Sequence, residues 1–269
     1  MAEHLDGAAA AHDVRRREIV EVVRRQGFAA IDALAQQFQV TPQTIRRDIN
    51  ALCADGALQR FHGGAGLASS VENLAYPTRQ VLCLAEKQRI ARLVAVHVPD
   101  HASLFINIGT TTEEVAKALL GHAGLSVVTN NLNVALILSH NSDFRVIVAG
   151  GQVRPRDRGI VGEPTIDLIR QFKVDIGIIG ISGIDRDGAL LDFDYREVRV
   201  AQAIMENSRK VYLAADHTKF GRSAMVRLGH VTQIDALFTD RGPSPDMQAM
   251  LEAAEVALHV AGEAAEQAA

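Results

Sequence analysis

Cysteine is scarce in this chain. Cys53 and Cys83 are its only two, they form no CxxC pair, and they lie in different segments. That spacing excludes a disulfide framework of the kind that staples small secreted domains. No apolar run reaches the length of about 18 residues that a membrane-spanning helix needs, so no membrane partner is expected. The opening residues, "MAEHLDGAAAAHDV", carry no basic segment and no apolar stretch of signal-peptide length, and the expected location is cytoplasmic. The ten histidines form no metal-ligand cluster with cysteine or carboxylates. "GIIGISG" lacks the GxGxxG spacing and a following helix start, so it is not read as a dinucleotide site. "HGGAG" has no GxSxG to serve as the nucleophile of an esterase. No metal and no cofactor are therefore expected.

Of the 269 residues 48% are apolar and 22% charged, enough for a substantial core in one large or two ordinary domains. The net charge is −4, but it is unevenly spread. From Val14 to Gly66 there are 8 Lys+Arg against 5 Asp+Glu, a net of +3; from Leu67 onward there are 20 against 24, a net of −4. A small basic head on an acidic body suits a DNA-reading module attached to something else.

The head reads as three short helices. In "VRRREIVEVVRRQG" Ile19, Val22 and Val23 share one face, with Gly27 as a helix stop. "IDALAQQF" spaces Leu34 and Phe38 four apart, and "QVT" turns sharply, with Val40 directed inward. Thr41 is a good N-cap and Pro42 suits the first helical position. Ile45, Ile49 and Leu52 then face inward, leaving Gln43, Thr44, Arg46, Arg47 and Asn50 outside. A sharp turn before a third helix with a polar outer face is the helix-turn-helix pattern, in which that helix enters the major groove. Gln, Thr, Arg and Asn are side chains that read base edges or hold phosphates. "LQRFHGGAG" follows as a β-wing carrying Arg60 and His62. The competing reading is a solvated helix beside a basic loop.

Residues 67–84 read as a linker, passing into a helix near Ala85–Val98. The body, 85–258, alternates apolar strands ("SLFINIG", "LSVVTN", "FRVIVAG", "VDIGIIGIS", "KVYLAAD", "IDALFTD") with helical stretches, and the tail after Val260 is expected to fray. Strands too uniformly apolar for a wet face imply a mostly parallel sheet covered on both sides. Ligands of such sheets bind beyond the carboxyl ends of the strands. There Gly109 allows close backbone approach, and Thr110, Thr111 and Thr112 offer hydroxyls beside the free N–H groups of a helix start, an anion pocket suited to phosphate. The alternative is a plain Thr-capped helix. Other strand ends carry Asn130 and Asn131, the "SGIDRDG" loop with Asp185, and Asp216 with Lys219, the last pair suited to a hydroxyl and a phosphate or else a surface ion pair. "RPRDRG" (154–159) is a basic loop that contacts phosphate, a neighbouring subunit or only solvent.

"RRREIVEVVRRQGFAAIDALAQQFQVTPQTIRRDINAL" followed by "RFHGGA" resembles the N-terminal signature of the DeoR family of bacterial transcriptional regulators; Thr41, Thr44, Ile45, Arg46, Arg47, Asp48, Ile49 and Leu52 carry it. The body resembles that family's sensor, so the likeness spans roughly residues 14–258. The resemblance implies an α/β architecture: a winged helix-turn-helix domain at 14–66 and a sensor similar in fold to ribose-5-phosphate isomerase. It implies operator DNA contacts at Thr41, Gln43, Thr44, Arg46, Arg47, Asn50, Arg60 and His62, and a homo-oligomer, dimer or tetramer, on a palindromic site. It also implies a phosphorylated polyol or sugar effector held by Gly109, Thr110, Thr111, Thr112, Asn130, Asn131, Asp185, Asp216 and Lys219. The resemblance, carried by strings such as "LFINIGTTTEEVAKALL" and "GISGIDRDGALLDFDYREVR", implies glycerol 3-phosphate as that effector, with fructose 1-phosphate the alternative. The enzymatic alternative, a sugar-phosphate isomerase, needs a general base, and Glu197 is its best candidate. The isomerase's lysine and glycine run is absent, with "RDGA" (186–189) in its place, and no catalytic residue is assigned.

Overall fold

The computed structural model describes residue 12 and residues 14–23, 28–55, 57–61, 63–67 and 73–262. These fall into two compact units, the first reaching Leu82 and the second beginning at Cys83.

The first unit opens with α1 (14–23), then β1 (Phe28–Ala30), α2 (Ile31–Gln37) and α3 (Pro42–Ala54). A hairpin of β2 (Leu58–Phe61) and β3 (Gly64–Leu67) follows, with β1 added antiparallel to β3. Ile19, Val22, Val23, Leu34, Ile45, Ile49 and Leu52 form one core, as their spacing requires. Val40 is half-buried against it, less enclosed than expected. Gln39 makes the turn between α2 and α3 at φ +52, a left-handed conformation unusual outside glycine. Gly64 is obligatory for a different reason: a Cβ there would lie 2.3 Å from the Ala29 carbonyl oxygen and 2.5 Å from the Phe28 ring. The stretch read as a linker contains α4 (Tyr76–Val81), which belongs to this unit.

The second unit runs α5 (Leu84–Val96), β4 (Ser103–Ile106), α6 (Thr110–Ala118), β5 (Ser126–Thr129), α7 (Leu132–Leu138) and β6 (Arg145–Val148). A short antiparallel hairpin, β7 (Gln152–Val153) and β8 (Ile160–Val161), leads to α8 (Glu163–Ile169) and β9 (Val174–Ile179). Then come β10 (Gly183–Ile184), β11 (Ala189–Asp192), α9 (Tyr195–Glu206), β12 (Ser208–Ala214), β13 (Val226–His230), β14 (Ala236–Thr239), α10 (Pro245–Ala253) and β15 (Ala257–Val260). The seven-stranded sheet has the order β15-β14-β12-β9-β4-β5-β6 with every neighbour parallel. Alternation along each strand splits the core in two. Leu104, Ile106, Val127, Ile176, Ile178 and Phe238 pack against α5, α6 and α7, whereas Phe105, Val128, Ile179, Leu213 and Leu237 pack against α8, α9 and α10. A smaller antiparallel sheet, β10-β11-β13, was not anticipated from the strand pattern.

Strand order decides where a ligand fits. The chain lays down β4, β5 and β6 in one direction, then returns to place β9 on the other side of β4 and builds outward through β12 and β14. The order therefore reverses between β4 and β9, and in open parallel sheets the crevice beyond that reversal is the usual binding place.

Candidate functional site

Two places in the structure have the makings of a binding site. The first is the outer face of α3. Thr41 caps the helix, its hydroxyl accepting from Thr44 N at 3.2 Å and lying 3.0 Å from the Thr44 hydroxyl, with Pro42 in the first turn. Thr44 is half-buried, whereas Gln43, Arg46, Arg47 and Asn50 are exposed. Arg60, on β2, donates to Asn50 Oδ1 at 2.7 Å, which brings the wing and the helix together. His62 lies outside the described residues.

Asp48 behaves differently from the arginines before it. It is fully buried and accepts from Arg15 Nε at 2.7 Å and Arg16 Nε at 3.2 Å, with His12 Nδ1 at 2.9 Å. Its carboxylate therefore ties α1 to α3 and sets the pose of the helix that carries Arg46 and Arg47. Its place on the inward stripe Ile45, Asp48, Ile49, Leu52, with a surplus of arginines on α1, was the signal that could have found it.

The second place is the carboxyl edge of the sheet at β4, β9 and β12, beyond the reversal of strand order. Gly109 precedes α6 at φ +157, a conformation L side chains rarely adopt, and a Cβ there would stand 3.2 Å from Thr112 Oγ1. Thr110, Thr111 and Thr112 form the first turn, whose N–H groups have no intrahelical acceptor. The three threonines do not contribute alike. Thr112 donates to the carbonyls of Asn107 and Gly109, both at 2.8 Å, and so holds the loop closed. The hydroxyls of Thr110 and Thr111 have no hydrogen-bond partner among the described residues.

Beyond β9, Gly180 leaves open the space beside this turn; a methyl built there would meet only Thr112 Cγ2 at 3.7 Å and Ile108 O at 3.8 Å. Ser182, nearly buried, donates to Asp192 Oδ1 at 3.0 Å, and Arg222 Nη1 donates to the Ser182 carbonyl at 3.1 Å. Asp185 sits in the tight turn between β10 and β11 and accepts from Arg186 N at 2.7 Å. At the end of β12, Asp216 is 1% exposed, caps the turn 217–219 through Thr218 N at 3.0 Å, and lies 3.9 Å from Lys219 Nζ. The aspartate is buried and the lysine half-buried, so the pair is more enclosed than a surface ion pair. Although burial opposes ionisation, the ammonium groups of Lys219 and Lys87 and hydrogen bonds from Thr218 hold the Asp216 carboxyl below the ordinary range. Lys87, on the first turn of α5, is itself buried. It shares the inward stripe with Ile90, Ala91 and Val94, so a lysine on the apolar face was the signal that could have found it.

The two asparagines after β5 are fully buried. Asn131 caps α7 by accepting from Asn133 N at 2.9 Å, and donates to Glu113 Oε1 at 3.2 Å. Asn130 Nδ2 donates to the Ile160 carbonyl at 3.1 Å, while its Oδ1 has no partner among the described residues. Of the basic loop, Arg154 is enclosed by Asp157 (2.7 Å), Glu197 (2.7 Å) and Asp194 (3.1 Å). The three carboxylates overcome the cost of burial and hold its charge more firmly than usual. Glu197, the best base candidate for isomerisation, is thus engaged in an ion pair. Arg156 and Arg158 are exposed; Arg156 too reaches Asp194 at 3.2 Å, and Arg158 donates to Asn133 Oδ1 at 3.2 Å. Among the described residues no three His, Cys, Asp or Glu side chains gather to hold a metal ion, and no helix is long and apolar enough to cross a membrane.

Comparison with known proteins follows these two places. Residues 15–71 match the DeoR-like helix-turn-helix domain and residues 83–241 the DeoR C terminal sensor domain. The chain is 52% identical over 237 residues to the glycerol-3-phosphate regulon repressor of Escherichia coli (strain K12), covering 88% of this chain and 94% of the relative. It is 49% identical over 230 residues to the protein of the same name in Haemophilus influenzae, covering 86% and 90%. It is 42% identical over 242 residues to the HTH-type transcriptional repressor CsqR of Escherichia coli, covering 90% and 93%. Among solved structures, ribose 5 phosphate isomerase A from Neisseria gonorrhoeae is similar over 50% of this chain and 52% of that one, at 15% identity and a TM-score of 0.38, a likeness too partial to carry an argument.

Proposed function

Because the chain belongs to the DeoR family of transcriptional regulators and is a regulator rather than an enzyme, we propose that it represses a glycerol 3-phosphate utilisation regulon and is released from its operator by glycerol 3-phosphate. The observation that carries this reading is the crevice at the β4/β9 reversal, where a helix N-terminus and a lysine–aspartate pair share one sheet edge, in a chain so similar to two repressors of that name. The effector's phosphate is taken by the first turn of α6, through its N–H groups and the hydroxyls of Thr110 and Thr111, with Lys219 as a point charge. Asp216 accepts from a glycerol hydroxyl. Gly109 keeps the approach open, Asn130 and Asn131 brace the neighbouring turn, and Asp185 lines the rim.

On the DNA, Gln43, Arg46 and Arg47 meet base edges or phosphates in the major groove, Thr41 and Thr44 hold the phosphate beside the helix start, and Asn50, Arg60 and His62 approach the flanking backbone. A homodimer or tetramer presents two such helices to the halves of a palindrome. Release requires that the effector bind the DNA-free conformation better than the DNA-bound one.

The test is anisotropy of a labelled operator duplex titrated with protein at one stated salt concentration, with and without glycerol 3-phosphate. Weakened binding with glycerol 3-phosphate, and not with glycerol or inorganic phosphate, is expected. Tight binding that ignores all three ligands overturns the effector. One second reading keeps the family and changes the effector to another sugar phosphate such as fructose 1-phosphate, since CsqR, a repressor not named for glycerol 3-phosphate, is also 42% identical over 90% of this chain. A panel of sugar phosphates in the same titration separates the two.

A further inference from the structure

The carboxyl edge of the sheet carries one more buried acid. Asp240 directly follows β14, and its side chain is shut off from solvent. A carboxylate leaves water only where donors satisfy it. Here both oxygens turn to one residue: Oδ1 accepts from the His217 backbone N–H at 2.7 Å, and Oδ2 lies 2.7 Å from His217 Nδ1. Because an ionised carboxylate only accepts, Nδ1 carries the proton of that bond. The exposed Arg241 stands farther off, its Nε 3.7 Å from Oδ2.

His217 opens the turn 217–219, which Asp216 caps and which carries Lys219. That turn is stiff within itself. Asp216 Oδ1 accepts from Thr218 N at 3.0 Å and from the Thr218 hydroxyl, and Lys219 N donates to the Asp216 carbonyl at 3.0 Å. These bonds set Asp216 and Lys219 relative to each other, but they do not aim the turn from the sheet. Its ends are held by Ala215 N donating to the Phe238 carbonyl at 3.0 Å and by Gly221 N donating to the Ile184 carbonyl at 2.7 Å. A segment held at two ends can still swing about the line between them. Asp240, at the exit of the strand that pairs with β12, supplies the third point of attachment.

We propose that Asp240 and His217 are positioning residues for the effector: the buried carboxylate grips His217 and so fixes the angle at which Asp216 and Lys219 meet the ligand. This rests on the effector reading given above. Both residues act through the turn, and neither touches the ligand. Without Asp240 the turn keeps its internal bonds and loses its aim. The effector's oxygens then meet Asp216 and Lys219 away from the distance and angle at which a hydrogen bond is strong.

Calorimetric titration of the full chain with glycerol 3-phosphate tests this. Asp240→Ala removes both acceptors and is expected to bind at least about tenfold more weakly than wild type. Asp240→Asn is expected to stay within about threefold of wild type. Its carbonyl oxygen still accepts from His217 N, and its amide donates to Nδ1 of the other ring tautomer. That rescue separates the aim of the turn from the field of a buried charge. Asp240→Asn as weak as Asp240→Ala overturns the inference, and so does Asp240→Ala binding as tightly as wild type; either result leaves the effector reading standing. A wild-type chain that binds no phosphate ester overturns both. Should Asp240→Ala fail to fold by circular dichroism, His217 supplies a second pair of variants. His217→Ala is expected to lose affinity, and His217→Asn, whose amide places a donor close to the position of Nδ1, to recover most of it; equal affinities of the two overturn the inference.

Discussion

Arg46, Arg47 and Asp48 are consecutive in sequence and have unlike tasks. The two arginines project from α3 into solvent, while Asp48 turns inward to Arg15 and Arg16. Replacing either arginine with alanine should weaken operator binding by about 1–3 kcal/mol and leave the melting temperature within error. Asp48→Ala should do the reverse: it removes the acceptor of two part-buried guanidinium groups and destabilises the first unit by on the order of 2 kcal/mol. Its loss of DNA binding should track unfolding in circular dichroism. Asp216 makes a residue-scale prediction about pH. Its folded carboxyl titrates below the ordinary value of 3.8, so the stability it contributes is present above that value and lost as pH falls through the lower, folded one. In urea denaturation Asp216→Asn should be less stable than wild type at neutral pH, and the gap should narrow only below about pH 4.

At the scale of elements, the ion cluster around Arg154 staples the β7–β8 loop to the start of α9. Arg154 reaches Asp157 within its own loop and Asp194 and Glu197 at the helix start. A parallel set of hydrogen bonds joins α6 to α7, with Glu113 Oε1 accepting from Asn131 at 3.2 Å and Asn133 at 3.0 Å; Asn133 also reaches the Asp157 carbonyl at 3.2 Å. Arg154→Met should cost about 3–5 kcal/mol, because it leaves several carboxylates facing one another without their cation. The cost is read as a shift in the urea midpoint at neutral pH. Gly109 tests the other side of the crevice. Gly109→Ala forces an L residue into a positive-φ conformation at a cost of about 1–2 kcal/mol. Its side chain also presses on Thr112, so the titration with glycerol 3-phosphate should show a loss of affinity beyond what the lower stability explains.

For the whole molecule, a basic head and an acidic sensor are carried on one chain, and the coupling between them is a free energy that must read the same from either end. If saturating glycerol 3-phosphate raises the operator dissociation constant by some factor, saturating operator must raise the glycerol 3-phosphate dissociation constant by that same factor. A factor of one, with operator binding the same with and without saturating glycerol 3-phosphate at one salt concentration, would refute a switch linking the two sites.

What could be read from the sequence alone was whatever depends on near neighbours along the chain. The Thr41–Pro42 helix start, the inward spacing of Ile45, Ile49 and Leu52, and the strand followed by Gly109 and three threonines are local patterns, and local backbone preference suffices to produce them. Even the uniformly apolar character of six of the parallel strands was legible, since both faces of such a sheet are covered. The order of those strands was not, nor the small β10-β11-β13 sheet, nor the hairpin β7–β8, because pairing is settled between segments far apart in sequence. Buried charge followed the same rule. Asp48 finds Arg15 across 33 positions and Arg154 finds Asp194 across 40, and a charge can leave water only where its partner already waits. So the residue types at the two candidate sites came from the sequence, while tertiary structure decided which of them hold their neighbours in place: Thr112 closing a loop while the hydroxyls of Thr110 and Thr111 have no partner among the described residues, and Asn131 capping a helix.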